Sequence, residues 1–200
     1  MKYLKTLGLL AIAAAALMAF SAAASATTLT SPAETKVEVG AKLHGENEKG
    51  HVKLANPIAN IECSSTVEGE ITNAGGPGTS VVGKITTLDF TGCTNSWHVT
   101  SLASGTLTLT WKANNEGSLS SSGAKVDTTR LGVTCVYETN NTAIGTATDS
   151  TATSATATLH VNASIPINGA ESSGLCGTGN ASWSGSYILT KPDPLFFDKE

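Results

Sequence analysis

A chain of 200 residues, 40% apolar and 14% charged, is long enough for one domain with a substantial core. Its 12 basic residues stand against 16 acidic ones without any basic cluster, which argues against nucleic-acid binding through phosphate neutralisation. After residue 26 no apolar run is long enough to cross a bilayer.

In chain order, residues 1–26 read as a signal peptide and residues 27–200 as a single all-β domain. Lys2 and Lys5 give a basic start, Leu7 to Phe20 an apolar stretch, and Ala24-Ser25-Ala26 the small-x-small pattern for cleavage before Thr27. Loss of the two lysines leaves ten basic against sixteen acidic residues, a net charge of −6. The implied destination is extracytoplasmic, either secreted or loosely held at the cell surface, with no membrane span after cleavage.

From there the pattern has period two, the signature of strands with one buried face. Val37, Val39, Ala41 and Leu43 alternate with polar residues. His44 to His51 then reads as a polar hairpin loop with its turn marked by glycines. From Ile61 to Thr72 the odd positions are mostly apolar, and Glu62, Glu68 and Glu70 share the other face. Leu107, Leu109 and Trp111 alternate with Thr106, Thr108 and Thr110. Val133, Cys135 and Tyr137 share a face, as do Leu159, Val161, Ala163 and Ile165. Trp183, Tyr187 and Leu189 close the series. Turn signals such as Gly75-Gly76-Pro77-Gly78 and Asn114-Asn115-Glu116-Gly117 lie between these runs. Pro192 and Pro194 stop a central strand, and Phe196 and Phe197 are expected to pack back on an edge.

Such spacing fits an antiparallel sandwich or barrel, and the expected fold is a β-sandwich of Greek-key, immunoglobulin-like or jelly-roll type. The four cysteines of an exported chain read as two disulfides, for which three connectivities are open. Cys63–Cys93 and Cys135–Cys176 close the shorter loops and are the favoured pairs, each contributing roughly 3.5–4 kcal/mol in the chain-entropy model.

Candidate chemistry is sparse. His44, Glu46, Glu48 and His51 place two imidazoles and two carboxylates within a short stretch, but their spacing matches no known metal-ligand motif and a solvated loop accounts for them equally. Glu62, Glu68 and Glu70 have a spacing that glycoside hydrolysis uses, and an acidic strand face reads the same way. His98 and His160 fall at polar strand positions, and no Gly-x-Ser-x-Gly elbow occurs. Trp97, Trp111 and Trp183 lie on apolar registers, where core packing is the ordinary expectation and a sugar-stacking platform the functional alternative. The alternating threonines read as outward-facing strand residues.

Several stretches carry a resemblance: Asn56-Pro57-Ile58-Ala59-Asn60-Ile61-Glu62-Cys63, Phe90-Thr91-Gly92-Cys93-Thr94-Asn95-Ser96-Trp97, Ile165-Pro166-Ile167 and Leu175-Cys176-Gly177. Through these and Trp183-Ser184-Gly185-Ser186-Tyr187 the chain resembles small exported proteins of actinobacteria with four cysteines. The resemblance implies export and the four-cysteine framework, and it transfers no catalytic or binding residue. Together these features point to a non-enzymatic secreted or envelope-associated protein, structural, adhesive or binding. A carbohydrate-binding module is the alternative and a secreted hydrolase the third reading. The expected partners are cell-envelope glycans or an envelope protein, with no cofactor.

Overall fold

The computed structural model describes residues 27–31, 35–47, 52–149 and 156–198. The signal-peptide reading of residues 1–26 and the candidates Glu48 and His51 fall outside the described residues.

Alternation yields strands throughout: β1 (Thr27–Thr30), β2 (Lys42–Asn47), β3 (Val52–Asn56), β4 (Ala59–Gly76), β5 (Thr79–Thr91), β6 (His98–Ala103), β7 (Thr106–Ala113) and β8 (Glu116–Ser122). There follow β9 (Lys125–Arg130), β10 (Val133–Glu138), β11 (Thr142–Thr148), β12 (Thr158–Ile165), β13 (Ala181–Lys191) and β14 (Phe196–Asp198). No helix among the described residues is long and apolar enough to cross a membrane.

The strands do not form the expected sandwich. β4, β2, β13, β12, β11, β8, β7 and β5 follow one another in the order of pairing, and β5 pairs again with β4, closing an antiparallel barrel. The long strand β4 makes closure possible, with 18 residues that take β2 and then β3 on one edge and β5 on the other. A period-two pattern records only that each strand buries one face, which a barrel and a sandwich satisfy equally. Register shifts at Glu68/Gly69, Ile71/Asn73 and Ala143/Gly145 let the sheet bend round on itself.

β2 and β3 occupy the same place in the ring at different heights, both antiparallel to β4 and β13. At one mouth β6, β9 and β10 form a separate sheet, whose Val99 and Val126 meet Val52, Leu54, Phe90 and Trp183 of the barrel. The outer edge of β10 is satisfied by the segment that follows β12. There Asn168 N–H donates to Val136 C=O at 2.8 Å and Ser173 N–H to Thr134 C=O at 2.8 Å. At the other mouth β1 pairs with β14 and with Gly75–Gly76, setting Leu29, Leu195 and Phe197 over the interior. Phe197 thus packs back as expected, against the barrel mouth.

Both disulfides join the favoured partners, Cys63–Cys93 and Cys135–Cys176. Two local expectations fail. Val37 to Leu43 is not one strand, because Gly40 turns the chain at φ +93° and leaves Val39 exposed before β2 begins. Gly45 marks no turn either. It lies inside β2 opposite Val67, where a Cβ would sit 3.0 Å from the valine methyl.

Candidate functional site

The outer surface of the barrel divides by chemistry. The wall made by β2, β4 and β5 carries charge. Lys42 bonds Glu70 across the strands, and this contact holds the Glu70 carboxyl below its usual pKa. His44 places Nε2 3.2 Å from Glu46 Oε1 and Nδ1 3.6 Å from Glu68 Oε1. Glu62, Glu68 and Glu70 share an outward face, as their spacing predicts, but Lys42 and His44 engage two of them. The described metal candidates, His44 and Glu46, therefore contact each other along β2, with Glu68 opposite His44 and the Lys42–Glu70 pair beside them. Among the described residues no group of three or more His, Cys, Asp or Glu side chains is placed to hold a metal ion.

The tryptophans face inward. Trp97 and Trp183 are buried, and Trp111 is half-buried against the core. Trp183 packs between Phe90 and Tyr187 with ring centroids 6.3 and 6.5 Å away. No sugar-stacking platform of tryptophan is presented. His98 is exposed, and His160 is an exposed strand residue whose Nδ1 lies 3.0 Å from Ser186 Oγ.

The opposite wall, β7, β8, β11, β12 and β13, is hydroxyl-bearing and almost uncharged. Its strands alternate mostly apolar and aromatic residues inward with mostly Ser, Thr and Asn outward, among which Ile188, Ala143 and His160 also face out. This is broadly the reverse of a barrel that spans a bilayer. Pairing brings the outward residues into rows. One row runs Ser80, Thr110, Ser118, Thr146, His160 and Ser186 across β5, β7, β8, β11, β12 and β13. Ser80 and Thr110 hydroxyls are 2.7 Å apart, and Ser118 donates to Thr110 C=O at 3.3 Å. The next two rows pair Asn162 with Ser184 and Ser164 with Ser182, and Asn180 Nδ2 donates to Ser164 Oγ at 2.9 Å. The charged residues of these strands lie at their ends: Lys112 and Glu116 beside the β7–β8 turn, and Lys191 closing β13.

Each hydroxyl both donates and accepts, and adjacent strands repeat the groups every ~4.8 Å. Such a surface suits a neutral, hydroxyl-rich polymer better than an ion. Reading the sequence found the threonines of β7 but missed the wall. The Ser and Thr residues of five strands become neighbours only through a pairing order that sequence does not display. The available signal was the absence of charge from 142–148, 158–165 and 181–190.

No family model, no curated protein and no solved structure matches the chain.

Proposed function

We propose that this is a non-enzymatic extracytoplasmic binding protein that adheres to neutral glycans of the cell envelope through the hydroxyl wall. The carrying observation is the row from Ser80 to Ser186, which crosses six strands of the barrel and contains no Asp, Glu, Lys or Arg. Two disulfides agree with an oxidising compartment, and the signal-like start of the sequence supplies the route to it. Because the middle of the wall carries no Asp, Glu, Lys or Arg, adhesion through it depends only weakly on ionic strength. With the tryptophans buried, affinity comes from many weak hydrogen bonds, so extended polymers bind and short sugars bind feebly.

Co-sedimentation with an insoluble neutral polysaccharide and with washed envelopes, at low and high salt, tests this reading. Saturable, salt-insensitive binding that Asn162→Glu or Ser118→Glu abolishes supports it. Absence of binding, or salt-sensitive binding that both variants retain, overturns it.

A further inference from the structure

An antiparallel barrel of eight strands is just wide enough for its side chains to fill it or to hold one small ligand. Filling is incomplete here. A void of about 70 Å³ lies beneath the cap formed by Leu29, Leu195 and Phe197. Three neighbouring strands line it with glycine, Gly45 on β2, Gly69 on β4 and Gly83 on β5; Val67 and Leu189 take up the space at Gly45, and the Lys84 backbone that at Gly69. A Cβ built on Gly83 would meet Glu70 C=O, Leu43 and Ile71 at 3.7–4.0 Å, so a methyl fits there in ordinary contact.

A second void of about 30 Å³ lies further down the interior. Val67, Ile85, Leu107, Leu119 and Leu159 line both, so rotation of these side chains joins them into one channel along the barrel. The lining is hydrocarbon almost throughout and offers water too few polar partners to stay. The larger void has about half the volume of an engineered cavity of ~150 Å³ that accepts benzene. On volume a ring is therefore excluded, and a chain fits only where it extends through both voids.

We propose that the barrel interior binds an unbranched alkyl chain, which enters beneath the cap. The cap consists of two short strands tied to the barrel and to each other by few pairings and by side-chain bonds. Trp111 N–H donates to Thr27 Oγ1 at 2.7 Å, and Thr30 Oγ1 donates to Asp198 Oδ2 at 2.7 Å. β1 meets β14 at Thr28, Leu29 and Thr30 and meets β4 at Gly75 and Gly76. Its displacement exposes the void without opening the barrel wall. This site is separate from the outward hydroxyl wall, so either assignment stands or falls alone.

The test is a homologous series of 1-alkanols from butanol to decanol, titrated into the mature protein and followed by leucine methyl chemical shifts. Affinity is expected to rise about fourfold per added methylene until the channel is full, and then to level off. Gly83→Leu places a side chain in the void and abolishes the shifts. Should that variant not fold, Gly83→Ala, whose Cβ makes ordinary contacts, shows weakened affinity with the fold retained. Absence of saturable shifts across the series overturns the proposal, as does a series unchanged by either variant.

Discussion

Tyr187 donates its phenolic hydrogen to Ser65 Oγ at 3.0 Å, joining β13 to β4 across 122 positions of sequence. Both residues are buried. The bond lies where the pairing of β4 passes from β2, whose last pair with it is Glu46 opposite Thr66, to β3, whose first is Val52 opposite Cys63. Ser65 N–H falls in that interval and donates to Asn47 Oδ1 at 2.7 Å. Side chains thus take over from the backbone ladder where β4 changes partner from β2 to β3.

Tyr187→Phe leaves the Ser65 hydroxyl buried without its donor and is expected to lower stability by about 1–2 kcal/mol in chemical denaturation. Burial also pushes the Tyr187 pKa up to about 12 from an ordinary 10.0. A phenol that ionises later in the folded state stabilises it fully below the unfolded pKa, and this contribution is lost as pH rises from about 10 through about 12. Alkaline destabilisation should accordingly be shallower in Tyr187→Phe. It should not vanish, because burial also raises the Tyr137 pKa. Equal alkaline slopes in the two proteins would refute the assignment.

Gly83 and Gly75 make opposite predictions for the same substitution. Gly83→Ala restricts the unfolded chain and adds a methyl in ordinary contact with Leu43 and Ile71, so a gain of about 0.5–1 kcal/mol is expected. Gly75 has φ +78°, and a Cβ there would lie 1.7 Å from Thr27 C=O. Gly75→Ala should detach β1 and lower the melting temperature. Thermal melts of the two variants side by side check the pair.

Asp149 is a buried carboxyl at the end of β11, with the Phe197 amide and Asn115 as partners and Asp198 nearby. Burial, reinforced by Asp198, raises its pKa above the usual carboxylate range. A raised carboxyl pKa means that the ionised form burdens the fold at neutral pH, and that the burden lifts as pH falls through the folded pKa. Asp149→Asn should therefore melt higher at neutral pH, with the advantage fading in acid. A lower melting temperature for the variant at both pH values would contradict this account.

The Cys135–Cys176 bridge fastens the segment that covers the outer edge of β10. Removal by Cys135→Ala with Cys176→Ala should cost roughly 4 kcal/mol in the chain-entropy model. Amide hydrogen exchange should accelerate first at Asn168 and Ser173, whose N–H groups donate to β10, while β12 and β13 stay protected. Uniform acceleration through the barrel would mean that the bridge serves the whole fold.

Much of this architecture is legible in the residues. The alternation of β4, β7 and β12 identifies buried faces correctly, and the inward register of Cys63 and Cys135 agrees with the disulfides formed. Closure is not legible, because the pairing of β4 with β5 along its second edge is a long-range choice that leaves the period-two pattern unchanged. Gly45 misleads for a related reason. A glycine between polar residues reads as a turn, whereas here it spares room inside a barrel for Val67 and Leu189. The hydroxyl wall stays hidden because Thr110, Ser118, Thr146, His160 and Ser186 look like ordinary strand exteriors until the pairing order aligns them.

The most direct test of the hydroxyl wall is residue-by-residue NMR shift mapping of the mature protein with a soluble, neutral fraction of envelope glycan. The account predicts perturbations concentrated on Ser118, Thr146, Asn162, Ser184 and their neighbours, undiminished in high salt. Perturbations confined to the charged wall around His44, Glu68 and Glu70, or none at saturating glycan, would contradict it.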